Sequence, residues 1–265
     1  MAKKFLQQFL EYLSLYDHWI FPSFAWMNIS LDVGNSLAKV GIFEAQSLIR
    51  KEVIPSRRDL EVFLKSNHAE NLIVSSVAEQ AEEIVSWANV INKKIILGPD
   101  LPIPIHNRYG TPATLGVDRL AAACGAWSLF TNLDCLVIDV GTCINYELIN
   151  KKSEYLGGAI SPGIAMRFDA MHHNTAKLPV ASPDENTPLT GNTTIQCLQS
   201  GVMNGTLEEI KGTIGRYKID YPDIRVILCG GDAHFFENHL KPTIFVAPDL
   251  VLMGLNSILL HNVNP

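Results

Sequence analysis

The chain has 265 residues, 47% of them hydrophobic and 18% charged, with a net charge of −6. That length and composition suit one large or two moderate globular domains with a real core. The acidic balance argues against a general nucleic-acid binder, which needs a basic surface, and no apolar run approaches the ~20 residues that span a bilayer. The five cysteines (Cys124, Cys135, Cys143, Cys197 and Cys229) are odd in number and form no CxxC pair. Three lie in apolar runs, so free thiols in a reducing cytoplasm are expected. The eight histidines form no HExxH.

Residues 1–26 open with Lys3-Lys4-Phe5-Leu6, but Gln7, Gln8, Glu11, Asp17 and His18 interrupt any signal-peptide core, and no A-x-A site follows. Phe5, Leu6, Phe9, Leu10, Leu13 and Tyr16 recur at helical spacing. The segment reads either as an appended stretch, with Met27 opening the folded unit, or as an extra amphipathic helix. Residues 28–33 and 38–43 are predicted as a β-hairpin around Gly34-Asn35-Ser36, and 44–55 as a third strand. Leu60, Phe63 and Leu64 give 58–66 helical spacing. A buried strand follows at 71–77, then a helix at 79–89 and a short strand at 94–97. Pro102 and Pro104 keep 101–105 out of a sheet interior. Residues 107–115 are polar loop, and 118–130 an alanine-rich helix. The second half predicts strands at 135–140, 145–149 and 155–160, a helix at 162–175 and a loop at 179–193. A helix then runs from 194 to about 217, followed by strands at 225–229 and 244–247 and a last helix at 250–260. Strands alternating with helices indicate an α/β fold. A boundary near 131–134 divides it into 27–132 and 133–265.

Two stretches echo each other: LDVGNSLAKVGIF at 31–43 and LVIDVGTCINYEL at 136–148. A repeat about 100 residues apart suits a duplicated domain, not a solenoid. In each, an Asp ends a strand and a Gly turns the chain. Backbone N–H groups at such a turn can approach phosphate oxygens, because Gly has no Cβ. An Asp beside them can position Mg²⁺, and Lys39 adds positive charge. An ordinary hairpin has the same turn chemistry. The repeat at Asp139-Val140-Gly141-Thr142 favours two loops facing one cleft and holding the two ends of a polyphosphate. The absence of GxxxxGK[ST] excludes a P-loop.

Gly116-Val117-Asp118-Arg119 opens a helix. An acid in a first turn is an ordinary favourable placement, worth ~0.3–1 kcal/mol. The functional alternative is a carboxylate that accepts a hydroxyl proton beside a guanidinium that binds an anion. Tyr109, in the preceding loop, can donate a hydrogen bond. Gly157-Gly158-Ala159-Ile160-Ser161-Pro162-Gly163 suits either a loop close to a ligand or another subunit, or a plain tight turn. Gly230-Gly231-Asp232 follows a buried strand, where α/β folds put ligand loops.

In this order and spacing, the motifs resemble the type III pantothenate kinases. These are also known as Bvg accessory factor-like proteins and belong to the acetate and sugar kinase, Hsp70 and actin superfamily. Thr175-Ala176-Lys177-Leu178-Pro179 and residues 191–201 complete the set, and the likeness covers about residues 27–260. It implies two ribonuclease H-like, actin-like domains around a central cleft. The activity implied is ATP-dependent phosphorylation of pantothenate, the first step of coenzyme A synthesis, in the cytoplasm. Asp32, Val33, Gly34, Asn35, Ser36, Leu37, Ala38 and Lys39 would form the first ATP-phosphate loop, and Thr142 would touch phosphate from the second. Asp118 would be the general base. Tyr109, Gly116, Val117 and Arg119 would hold pantothenate, joined by Thr194 from the neighbouring subunit of a homodimer whose site lies at the interface. Asp139 would bind K⁺ or NH₄⁺, and Mg²⁺ would arrive with ATP. Two departures stand out. Ser36 replaces the usual Thr, and Cys143-Ile144-Asn145 replaces the usual Ala-x-Thr, so Asn145 lacks a hydroxyl on the ATP side. Two other readings are a non-catalytic accessory protein of the same fold and a different small-molecule kinase. Intact Asp32, Asp118, Arg119 and Asp139 argue against the first, and Gly116-Val117-Asp118-Arg119 against the second.

Overall fold

A computed structural model describes residues 27–34, 37–76 and 81–263. The expectations for residues 1–26, for Asn35-Ser36 and for 77–80 lie outside the described residues. The first sheet has the order β3-β2-β1-β4-β5. Its strands are β1 (Asn28–Val33), β2 (Ala38–Glu44), β3 (Ser47–Ile54), β4 (His68–Ser76) and β5 (Asn89–Ile96). β1, β2 and β3 form an antiparallel meander, and β4 and β5 add in parallel beside β1. Two helices make the crossovers: α1 (Arg57–Ser66) and α2 (Ala81–Trp87). Ser56 caps α1 by accepting a hydrogen bond from the Asp59 N–H. Leu60 and Leu64 on its inner face are buried.

The second sheet repeats this plan in the order β11-β10-β7-β8-β9-β6. Its strands are β6 (His106–Asn107), β7 (Cys135–Val140), β8 (Cys143–Ile149), β9 (Glu154–Pro162), β10 (Arg225–Cys229) and β11 (Phe245–Val246). β7, β8 and β9 are the meander, and β10 and β11 the parallel additions. The echoed stretches are thus the first hairpins of two equivalent sheets. Asp32 pairs with Lys39 across one hairpin, and Asp139 with Asn145 across the other. Lys39 and Asn145 therefore occupy corresponding places.

Five further helices complete the fold: α3 (Val117–Leu129), α4 (Ile164–His173), α5 (Thr194–Asp220), α6 (His234–Leu240) and α7 (Leu250–Val263). α3 packs on β7 and β8, while α7, last in the chain, packs on β1, β2 and β4 of the first sheet. The two helices also cross each other closely. A Cβ at Gly254 would run into the Ala121 backbone and lie 2.8 Å from the Gly125 nitrogen, so small residues permit the approach. This crossing joins the two sheets through one core that includes Ala121, Ala122, Leu255, Ile258 and Leu259. Each large apolar side chain buried there stabilises by ~1.5–3 kcal/mol. A second core lies under α4, α5 and α6, and a third under α1 and α2.

A chain of amides ties the base of the first sheet to α7. Asn92 Nδ2 donates to Asn71 Oδ1 (2.9 Å), Asn71 to Asn28 (2.9 Å) and Asn28 to Asn256 (3.3 Å). Asn256 ends the chain on the Ala45 carbonyl at 2.8 Å.

Several elements differ from the sequence expectations. β4 begins at His68 and β5 at Asn89, earlier than predicted. β5 is an edge strand with mostly exposed side chains, so its Asn and Lys residues obscure any apolar pattern. α6 was not anticipated from the sequence. Its buried face rests on Phe236 and Leu240 alone, too few for a helical period. β6 comes from the first half of the chain but pairs with β9 in the second sheet.

Candidate active site

Asp32 and Asp139 each sit next to last in their strand, directly before a glycine turn. Burial raises both carboxyls from 3.8 to about 6, and the Lys39 ammonium opposes that rise at both. The Asp118 charge raises both further, and Asp32 adds to the rise at Asp139. Such mutual influence requires short separations in a protein medium. Asp32 and Lys39 face each other across the first hairpin, and the charges of Lys39 and Asp118, from β2 and the start of α3, act on both Asp32 of β1 and Asp139 of β7.

The turns around these acids are braced by backbone contacts. Gly34 N–H donates to Leu37 O at 3.0 Å, closing the first turn. Val33 is half-buried, Leu37 exposed and Ala38 buried on either side of it. In the second turn, Gly141 N–H donates to Cys143 O (2.9 Å), Gly163 N–H to Thr142 O (3.1 Å) and Asp232 N–H to Val140 O (3.0 Å). Thr142 is left exposed at the tip. Gly230 presses directly on Asp139: its φ is +95°, and a Cβ there would lie 2.5 Å from Asp139 Oδ1. Only glycine meets both demands.

Gly116 caps α3, and a Cβ on it would lie 2.6 Å from Asp118 Oδ1. The half-buried Asp118 side chain thus folds back over the helix start, beside half-buried Val117. Arg119 is buried, and Glu147 of β8 occupies one edge of its guanidinium. Arg119 Nε donates to Glu147 Oε1 at 2.6 Å and Nη2 to Oε2 at 2.9 Å. Arg119 also lies over the Tyr109 ring, 5.6 Å from its centroid. The sequence reading left Arg119 free for a substrate anion and did not identify Glu147. The available signal was an acid inside the apolar strand CINYELI, since a buried acid needs a partner. Burial raises the Glu147 carboxyl, and Arg119 and Tyr155 counter it with hydrogen bonds.

Thr194 is exposed at the first turn of α5, after Thr193, which caps the helix by accepting from Gln196 N–H. Thr194 is not among the groups these contacts connect. Among the described residues, no cluster of three or more His, Cys, Asp or Glu side chains could cage a metal ion. The two half-buried carboxylates, Asp32 and Asp139, fit another arrangement. A hard cation shared with phosphate keeps several waters and needs only one or two protein carboxylates, and the net negative charge around Lys39 favours a cation. All five cysteines are free, with Cys124, Cys135 and Cys229 buried.

Comparison with known proteins identifies the family. A sequence profile described as type III pantothenate kinase matches residues 28–216. The chain is 41% identical over 241 residues to a type III pantothenate kinase of Cytophaga hutchinsonii, covering 89% of this chain and 100% of that one. A Bacteroides fragilis relative of the same name is 39% identical, with 89% and 98% covered. Among solved structures, a Baf family transcriptional activator from Campylobacter jejuni superposes with a TM-score of 0.61 at 23% identity, covering 89% of this chain and 100% of that one. Component A of the (R)-2-hydroxyglutaryl-CoA dehydratase of Acidaminococcus fermentans gives 0.51 at 12% identity, covering 89% and 96%. At those identities the structures speak for the fold alone, which is the duplicated actin-like one. With the profile spanning most of its length and relatives of about 40% identity matching nearly end to end, the chain belongs to the type III pantothenate kinase family.

Proposed function

We propose that this protein transfers the γ-phosphoryl group of ATP to the hydroxyl of pantothenate, making 4′-phosphopantothenate for coenzyme A synthesis. The observation that carries this reading is that Lys39 and Asp118 act electrostatically on both Asp32 and Asp139, the acids of two equivalent hairpins. Phosphoryl transfer needs in-line positioning and charge neutralisation more than covalent help. The first hairpin would offer backbone N–H groups of the stretch 34–38 to the phosphates, and the second would add Thr142. Lys39 offsets phosphate charge. Asp118 accepts the proton from the pantothenate hydroxyl as the oxygen attacks. Tyr109, Gly116, Val117 and Arg119 hold the substrate. When bound, Mg²⁺ from ATP and a monovalent cation, K⁺ or NH₄⁺, neutralise phosphate charge, held by Asp32 and Asp139 respectively.

The same reading divides the chain into 27–132 and 133–265. It places Thr194 in the site of a partner subunit in a homodimer, consistent with its exposed position, and places the enzyme in the cytoplasm. No helix among the described residues is long and apolar enough to cross a membrane. The test is ADP release by purified protein with ATP, Mg²⁺ and K⁺. Release that does not rise with pantothenate rejects the proposal.

A further inference from the structure

Glu147 is 0% exposed inside β8, yet it carries a carboxylate. Beyond gripping Arg119 at 2.6 and 2.9 Å, its Oε2 accepts the Tyr155 hydroxyl at 2.6 Å. Tyr155 stacks on Tyr109 with ring centroids 6.1 Å apart, and Tyr109 underlies Arg119. The four side chains close a ring: Glu147, Arg119, Tyr109, Tyr155 and back to Glu147. Gly157 makes room for it, with φ +91° and a position where a Cβ would lie 3.1 Å from the Tyr109 ring. The Asp118 charge reaches Glu147, so the ring borders the acid cluster.

Stability is a poor reason for this arrangement. A buried ion pair recovers little beyond its desolvation cost, and apolar replacements are often as stable. What a bidentate pair does fix is direction, because the planar guanidinium can be held by one edge while the other is presented elsewhere. Glu147 takes the Nε and Nη2 edge, which leaves Nη1 for other partners, and Tyr109 hydrogen-bonds the guanidinium as well.

We infer that Glu147, supported by Tyr155, is a positioning residue: it holds Arg119 so that its Nη1 edge meets the carboxylate of a hydroxy-acid substrate while Asp118 meets the hydroxyl. The inference rests on the pantothenate reading above and deepens it. Arg119 and Asp118 are neighbours on one helix, so the pair sets the spacing between the substrate's two recognised ends. Specificity for an acid over its uncharged amide then depends on Glu147, a residue that touches no substrate.

The test is steady-state kinetics of wild type, Glu147→Gln and Tyr155→Phe, varying pantothenate at saturating ATP and the reverse. For Glu147→Gln, the KM for pantothenate is expected to rise at least about 10-fold, the scale of a charge-assisted contact. Its kcat should stay within about 3-fold, and its KM for ATP should not change. Tyr155→Phe should move the same constant the same way by about 3-fold, because it keeps the ion pair and the ring stack. Competitive inhibition by the carboxamide of pantothenate should be equal in wild type and Glu147→Gln, since the amide has no charge for Arg119. An unchanged pantothenate KM in folded Glu147→Gln overturns the inference, as does a parallel change in both substrates' KM. If Glu147→Gln does not fold, Tyr155→Phe decides, and an unchanged pantothenate KM there overturns it. Wild type that fails to phosphorylate pantothenate rejects the functional reading itself, a result distinct from active wild type with unaltered variants.

Discussion

Replacing Gly230 by Ala tests whether the second hairpin holds Asp139 by packing alone. Alanine would sit at φ +95°, where L side chains are strained by ~1–3 kcal/mol. Its Cβ would also press on the Val140 backbone nitrogen and Asp139 Oδ1, both at 2.5 Å, so the strand end must shift. Overpacking of that kind costs a further ~1–3 kcal/mol. The sum, ~2–6 kcal/mol, corresponds to a Tm loss of roughly 5–15 °C for a chain of this size. The larger effect falls on function. If Asp139 serves the site, displacing its carboxylate by about 1 Å is expected to cost on the order of 10²-fold in kcat/KM. Exposed Gly231, where an added Cβ would meet nothing within 4 Å, is the internal control, and Gly231→Ala is expected to behave as wild type. The assay is differential scanning fluorimetry with steady-state kinetics on both variants. Wild-type activity and Tm in Gly230→Ala, or equal damage in Gly231→Ala, would refute the reasoning.

Asp118→Asn is expected to lower kcat by ~10²–10⁴-fold with the KM for ATP unchanged, the loss typical of a general base; retained turnover removes Asp118 from that role. Asp139, raised from 3.8 to about 6, contributes stability that is present below pH 3.8 and lost as pH rises through about 6. Asp139→Asn in chelator should therefore melt higher than wild type at pH 8, by up to roughly 3 kcal/mol, the Lys39 attraction being already counted in that shift, and match it near pH 4. Equal stability of the two proteins at pH 8 contradicts the burial argument. Asn71→Ala leaves Asn28 Oδ1 and the Asn92 amide without their partner, and should cost ~1–3 kcal/mol in urea unfolding while turnover at 25 °C holds. Unchanged stability there would make the amide chain dispensable.

The hairpins and their acids were legible in the sequence because alternation, Asp and Gly are local signals, and the echo doubled them. The helix starting at Val117 was legible for the same reason: Gly116 and Asp118 mark its start and alanines fill its body. Long-range pairing was not. Nothing local tells that α7 leaves the second half to cover the first sheet, or that β6 joins β9. The crossing of α3 and α7 depends on Gly125 and Gly254 meeting, which neither segment reveals alone. The site shows the same division. Arg119 was legible as a cation near a base, but its commitment to Glu147 spans 28 residues and two elements. The equivalence of Lys39 and Asn145 emerged only from strand register, since the two turns differ in length.

The central claim is that a carboxylate between two phosphate loops activates a pantothenate hydroxyl. Mass spectrometry of a reaction containing ATP, Mg²⁺, K⁺ and pantothenate tests it most directly. Wild type should convert pantothenate to a species carrying one added phosphoryl group, and Asp118→Asn, shown to bind ATP, should not. Equal product from both proteins, or none from wild type, would contradict the account.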